Sequence, residues 1–260
     1  MKQRVITAVI ALALLLVVLF YVPAAAVQAI IALVMLAGAW EWSAFLGASG
    51  HATRITYVLI IGALLAAATF APGLNTYLVL KVSMVWWICA LIWTFFFPTS
   101  IPAAVRWIGG AVILVPLYLA LIILYQAAPA TLLFLLLIVW VADSGAFFAG
   151  KTLGRVKLAP AISPGKTWEG VLGGLAAVVL LTLLRSLWVE TDLMVYVPFC
   201  LAIASISIVG DLTVSMFKRD AGLKDSGTLF PGHGGVLDRI DSVASAAPLF
   251  ALGITWVALR

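Results

Sequence analysis

WIGGAVILVPLYLALIIL, residues 107–124, runs for 18 residues without a charged side chain. A bilayer core about 30 Å thick is crossed by about 20 predominantly apolar residues in an α-helix, so this stretch reads as a membrane span. Eight more of the same kind surround it, near residues 5–21, 24–40, 55–71, 76–97, 130–149, 170–188, 193–214 and 240–258. The pattern predicts an all-α fold, a polytopic transmembrane helical bundle of about nine spans. Of the 260 residues, 65% are hydrophobic and 10% charged, and the mean hydropathy is +1.22, values that exclude a soluble globular domain. The first run is followed by Pro23 and at once by another apolar run, which argues for a retained helix rather than a cleaved signal.

The breaks between runs are short except at residues 150–169 and 215–239. Placing the N-terminus in the cytoplasm puts 12 of the 15 Lys and Arg on that side and leaves Lys81, Arg185 and Arg260 outside. Cytoplasmic loops are the positive ones, so this orientation is the expected one, with the inner, cytoplasmic membrane as the location and both long polar segments facing the cytoplasm. The same asymmetry accounts for the net charge of +5 without a nucleic-acid partner. Cys89 and Cys200 lie inside apolar runs and read as small hydrophobes. Residues 1–129 form N-terminal transmembrane helices with little chemistry, and 130–260 carry the helices and cytoplasmic segments where the polar residues gather. The sole acid of the first part is Glu41, in the cluster Trp40-Glu41-Trp42, which reads as an interfacial aromatic belt.

Seven of the ten acids, Asp143, Glu169, Asp211, Asp220, Asp225, Asp238 and Asp241, lie in the second half at or near cytoplasmic ends of spans. A carboxylate in an apolar span is costly and is usually paired or functional. In SMFKRDAGLKDSGTLFPGHGGVLDRIDS, 215–242, the cations Lys218, Arg219, Lys224 and Arg239 alternate with Gly227, Gly232, Gly234 and Gly235. Such glycines free backbone N–H groups to cradle phosphate. Asp238 and Asp241 are three apart and share a helical face, where two carboxylates call for an Arg or a divalent cation between them. Oxygen donors of this type favour Mg²⁺. The Gly-Lys-Thr of residues 165–167 is not a P-loop, because Pro160 stands where its first glycine would fall and no strand is expected before it. His233 alone is a poor metal ligand, His51 reads as a plain loop residue, and no Ser-His-Asp or Cys-His set points to a covalent nucleophile.

Those residues resemble the phosphatidate cytidylyltransferases, or CDP-diacylglycerol synthases. The family pattern S-x-x-K-R-x4-K-D-x-G-x2-F-P-x-H-G-G-x-x-D-R-x-D is met from Ser215, through Asp225, to Asp241, and SPGKTWEG at 163–170 is similar to the family's SPKKTWEG, with Gly165 departing from the usual Lys. The resemblance implies transfer of CMP from CTP to phosphatidic acid at the membrane lipid surface. It implies Mg²⁺ held chiefly by Asp211 and Asp238, supplemented by Asp143 or Asp241, and leaves room for a monovalent cation. By the same resemblance Lys166, Lys218, Arg219, Lys224 and Arg239 contact phosphates, the His233-Gly234-Gly235 turn positions them, and the chain forms a homodimer. Two alternatives share parts of this pattern: a CTP-dependent lipid kinase, and an ion-coupled transporter, whose site would lie near the midplane between repeats.

Overall fold

The computed structural model describes residues 2–47, 50–227 and 234–258, and the side chains among them except at 2–9, 11 and 255–258. Over these residues the chain forms nine α-helices: α1 Lys2–Tyr21, α2 Ala24–Trp42, α3 His51–Phe70, α4 Thr76–Thr94, α5 Ala103–Ala127, α6 Pro129–Leu153, α7 Trp168–Arg185, α8 Leu193–Asp220 and α9 Leu237–Ala258. Each apolar run of the sequence corresponds to one of them, though the runs 55–71, 76–97 and 170–188 extend past the ends of α3, α4 and α7. Seven, α2 to α8, are long and apolar enough to cross a membrane among the described residues. Their outward faces carry side chains such as Leu59, Val85 and Ile88, each more than half exposed. Lipid is the medium in which such faces cost nothing, and the architecture is that of a multi-pass membrane protein.

Two helices run further than hydrophobicity alone indicates. Residues 150–153 complete α6 and residues 215–220 complete α8, where the sequence suggested loop. A helix satisfies its own backbone whatever its side chains, and Ser215, Met216, Phe217 and Lys218 are all buried against neighbours. Trp42 corrects another expectation: it is fully buried, its Nε1 donates to the Arg106 carbonyl at 2.8 Å, and its ring lies 4.8 Å from that of Phe217. Glu41 and Trp42 therefore belong to the protein interior rather than to an interfacial belt, while Trp40 is exposed, with the Arg54 guanidinium 5.5 Å over its ring.

Between α6 and α7 lies a hairpin absent from the all-helical expectation: β1 Lys157–Ala159 pairs antiparallel with β2 Ser163–Thr167. A short strand thus does precede the Gly-Lys-Thr stretch, but as its hairpin partner. Thr167 ends β2 and caps α7, its Oγ1 accepting from Gly170 N at 3.1 Å, which is the usual service of a Thr at a helix N-cap.

Helices α6 and α7 pack the most extensively of any pair, followed by α8 and α9. Small residues permit this. A Cβ on Gly174 would stand 2.6 Å from the Ala142 carbonyl, and one on Gly145 would stand 2.9 Å from that of Gly173. Gly210 of α8 lies against the Asp241 carbonyl of α9, and Ser245 Oγ donates to the Ile206 carbonyl at 2.7 Å. Close approach through small residues and interhelical hydrogen bonds is how helices associate where lipid offers no hydrophobic drive. Gly174→Val should force α6 from α7 and destabilise the fold by about 1–3 kcal/mol, the usual cost of overpacking, read as a lower thermal midpoint in detergent.

Candidate active site

The ends of α6, α8 and α9, the strand β2 and the segment before α9 enclose one charged cavity of about 1100 Å³. Asp143 comes from α6, Lys166 from β2, Asp211 and Lys218 from α8, Asp225 from the connection, and Asp238, Arg239 and Asp241 from α9. Residues more than 90 positions apart in sequence are brought together here because α6, α8 and α9 all pack on one another.

Two ion pairs organise the wall. Lys166 Nζ lies 2.6 Å from Asp211 Oδ2, tying the hairpin to α8, while Ser215 Oγ, one turn along α8, donates to Asp211 Oδ1 at 3.2 Å. Lys218 Nζ donates to Asp238 Oδ1 at 2.6 Å, tying α8 to α9. The other oxygen of Asp238 accepts from Ser226 N at 3.0 Å, Ser226 Oγ at 3.0 Å and Gly235 N at 2.9 Å. Gly234, at φ +79°, makes the turn that aims the Gly235 amide, and a Cβ there would crowd Asp238 Oδ2, so the left-handed backbone and the close approach both require glycine. Asp143 and Asp241 lie within electrostatic reach of Asp211 and Lys166, Ser242 stands beside Asp143, and Asp241 Oδ1 accepts from Ser242 N at 2.8 Å.

Not every cation of the sequence pattern faces the cavity. Arg219 Nε donates to the Ile162 carbonyl at 3.1 Å and its Nη1 to the Leu223 carbonyl at 3.2 Å, holding the hairpin tip to the end of α8. Lys224 is exposed and outside the lining. Gly235 is buried behind the wall. His233 lies outside the described residues. Of the remaining acids, Asp220 pairs with Arg106 at 2.8 Å and accepts from Ile101 N at 3.2 Å, while Glu169 accepts from Val156 N at 3.2 Å at the base of the hairpin.

The sequence reading missed Glu41. Buried at the end of α2, it accepts from Val236 N at 2.8 Å, Leu237 N at 2.8 Å and Ser226 Oγ at 2.9 Å. It caps the N-terminus of α9, where free N–H groups and the helix dipole favour an anion. The Ser226 hydroxyl stands between Glu41 and Asp238 and has one proton to offer the two. The cost of an acid in an apolar segment, the rule that singles out Asp143 and Asp211, was the available signal. The neighbouring tryptophans masked it.

Among the described residues no three His, Cys, Asp or Glu side chains form a ready-made metal cage. The wall does offer hard oxygen donors. Asp211 and Asp238 each already accept an ammonium at 2.6 Å, so both present an oxygen to a cation, and such oxygens suit Mg²⁺.

Fold and cavity together define a class: a multi-pass membrane protein with a mixed-charge site at one end of its helices. The particular family follows from comparison with known proteins. Residues 2–257 match the profile described as Cytidylyltransferase family, and the chain belongs to that family. It is 41% identical over 267 residues to the phosphatidate cytidylyltransferase of Pseudomonas aeruginosa, covering 99% of this chain and 98% of that protein. It is 35% identical over 285 residues to the protein of the same name from Haemophilus influenzae, covering 96% and 97%. A third, from Brucella suis, is 48% identical over 123 residues, 47% of this chain and 46% of its own length.

Glu41→Ala leaves the amides of Val236 and Leu237 without their acceptor and should destabilise the protein by about 1–3 kcal/mol or more, since a buried unsatisfied donor costs that much. Val236 N and Leu237 N use different oxygens of Glu41, so Glu41→Gln keeps an acceptor for one of the two amides and should lose less. Unfolding in detergent measures both, and equal stability of Glu41→Ala and the parent would contradict the capping role.

Proposed function

We propose that this chain is a phosphatidate cytidylyltransferase, joining CTP and phosphatidic acid to give CDP-diacylglycerol and pyrophosphate for phospholipid biosynthesis. The observation that carries the reading is a single cavity in which lysines and an arginine meet several carboxylates at the helix ends of a membrane bundle, in a chain that is 41% identical, nearly end to end, to a protein of that name. A lipid phosphate and a nucleotide triphosphate meet only at such a level.

The phosphate oxygen of phosphatidic acid attacks the α-phosphorus of CTP, the bond to the β-phosphate breaks, and pyrophosphate leaves with its electrons. The nucleophile is the substrate itself, so no side chain need form a covalent intermediate. The task of the protein is to hold two anions in line and stabilise the charge that shifts to the leaving group. Lys166, Lys218 and Arg239 serve as phosphate contacts. The two lysines are each held by a carboxylate, and they exchange that partner for a phosphate oxygen when substrate enters. Arg219 and Lys224, which the resemblance assigns to phosphate, lie away from the cavity wall, and Arg219 supports the hairpin that carries Lys166.

The charge balance supports Mg²⁺. Five carboxylates line the cavity (Asp143, Asp211, Asp225, Asp238 and Asp241) against four cations (Lys151, Lys166, Lys218 and Arg239), which leaves it formally one charge negative. A site with that balance does not by itself neutralise a triphosphate. Asp211 and Asp238 are the residues to hold the ion, with Asp143 and Asp241 beside them. Bound there, Mg²⁺ supplies neutralisation of phosphate charge and Lewis-acid polarisation of the phosphoryl group.

The orientation belongs to the same proposal. Nine spans, an N-terminus in the cytoplasm and a cavity facing the cytoplasm from the inner membrane are supported by the distribution of Lys and Arg, and labelling of single cysteines placed at residue 2 and residue 224 tests them. The homodimer rests on the resemblance alone, and cross-linking in micelles tests it.

Purified protein given phosphatidic acid and CTP labelled at the α- or the γ-phosphate should incorporate only the α-label into lipid. Transfer of the γ-label would identify a kinase, and no transfer would remove the enzymatic reading. Asp211→Asn and Asp238→Asn should each lower kcat by about 10²–10³ or more, the scale of losing a transition-state electrostatic contact, with membrane insertion intact. Lys166→Ala should raise the KM for CTP or lower kcat, and unchanged CTP kinetics would make residues 163–167 a purely structural strand.

A further inference from the structure

A second cavity, about 770 Å³, adjoins the first and differs from it in kind. Its wall is apolar, with no charged residue, and it shares Leu158, Val171 and Ile208 with the charged cavity. Helices α4 and α7 both pack on α8. Between them an α8 face is left as the floor of this groove, and the hairpin tip, Leu158 to Ile162, roofs one end. Along α8 the lining runs from Leu212, next to Asp211, down to Ala202, a distance of about 15 Å at the helical rise of 1.5 Å per residue. On α7 it runs the same way, from Trp168 at the helix start to Leu175. The groove therefore leaves the charged site at its apolar side and descends along α8 to an outer face where Ala202 and Ser205 are exposed.

We propose that this groove seats an acyl chain of the lipid substrate, with Val171 and Ile208 at the threshold and Ala202 and Ser205 at the far end. The inference rests on the reading of the charged cavity as the place where the lipid phosphate reacts. A phosphatidic acid whose phosphate lies beside Lys166 and Asp211 has two hydrocarbon tails that cannot remain among five carboxylates and four cations. They must leave through an apolar wall continuous with the site, and the shared Leu158, Val171 and Ile208 form one. The groove then descends in the direction the tail takes into a bilayer. Seating the tail fixes the direction from which the lipid phosphate approaches, so binding energy remote from the reacting atoms is used for orientation.

The test fills the far end of the groove and varies the tail. Ala202→Trp and, separately, Ser205→Trp are assayed with dioleoyl and with dihexanoyl phosphatidic acid in the same detergent. Expected is a rise of about tenfold in KM for the long-chain lipid, the effect of unseating about two methylenes. Activity on the short-chain lipid and the KM for CTP should be unchanged, which also shows that the variants fold. Equal effects on both lipids, or no effect on either, would overturn the assignment. Failure of the parent protein to form CDP-diacylglycerol from either lipid would instead strike at the reaction itself.

Discussion

The Asp238 carboxylate is the tie on which the site depends. It gathers Lys218 Nζ at 2.6 Å on one oxygen and three donors, from Ser226 and Gly235, on the other. That single group joins the end of α8, the connection after it and the first turn of α9. Glu41 does the same from the opposite side, bringing α2 to the amides of Val236 and Leu237. In an apolar chain an unpaired buried carboxylate costs several kcal/mol, so there are few arrangements in which both acids find all their donors. The requirement to satisfy them selects the arrangement of the helix ends.

Backbone contact between helices sets the remaining geometry. Gly145, Gly173 and Gly174 draw α6 onto α7, and Gly210 draws α8 onto α9. The cavity lies where these two close pairs face each other, with Lys166 of the hairpin bridging to Asp211. The glycines and the ion pairs thus act at different levels. The first fix which helices are neighbours, and the second fix the depth at which their ends meet.

This division explains what was legible in the sequence. Each helix was visible as an apolar run, and Asp143, Asp211 and Asp238, grouped by the sequence at span ends, line one cavity. Their ends were less visible, because residues 215–220 are polar yet helical, their stability coming from packing that periodicity does not record. The hairpin was hidden because five residues as polar as Ser-Pro-Gly-Lys-Thr carry no strand pattern, and its fixation depends on distant groups such as Arg219 and Glu169. Glu41 was hidden for a related reason: its partners are backbone amides 195 and 196 positions away, and amides have no sequence signature. The cation pattern also overstated the site, since Arg219 and Lys224 share a segment with Lys218 but not its direction.

On the proposed reaction, the near-balance of charge in the cavity has a kinetic meaning. A wall carrying a surplus of fixed cations would bind a triphosphate without help, but it would bind the released pyrophosphate as well. Differential stabilisation of the transition state, rather than uniform affinity for anions, is what accelerates a reaction. Lys166 and Lys218 are matched to carboxylates, so on that proposal their phosphate contacts would be made by exchange, and Mg²⁺ would supply the surplus positive charge. Product departure would then restore the Lys166–Asp211 and Lys218–Asp238 pairs instead of exposing two bare lysines. Both products of that reaction are anions, pyrophosphate and a lipid with a diphosphate head group, and a site whose lysines regain carboxylate partners releases either one more readily than bare cations would.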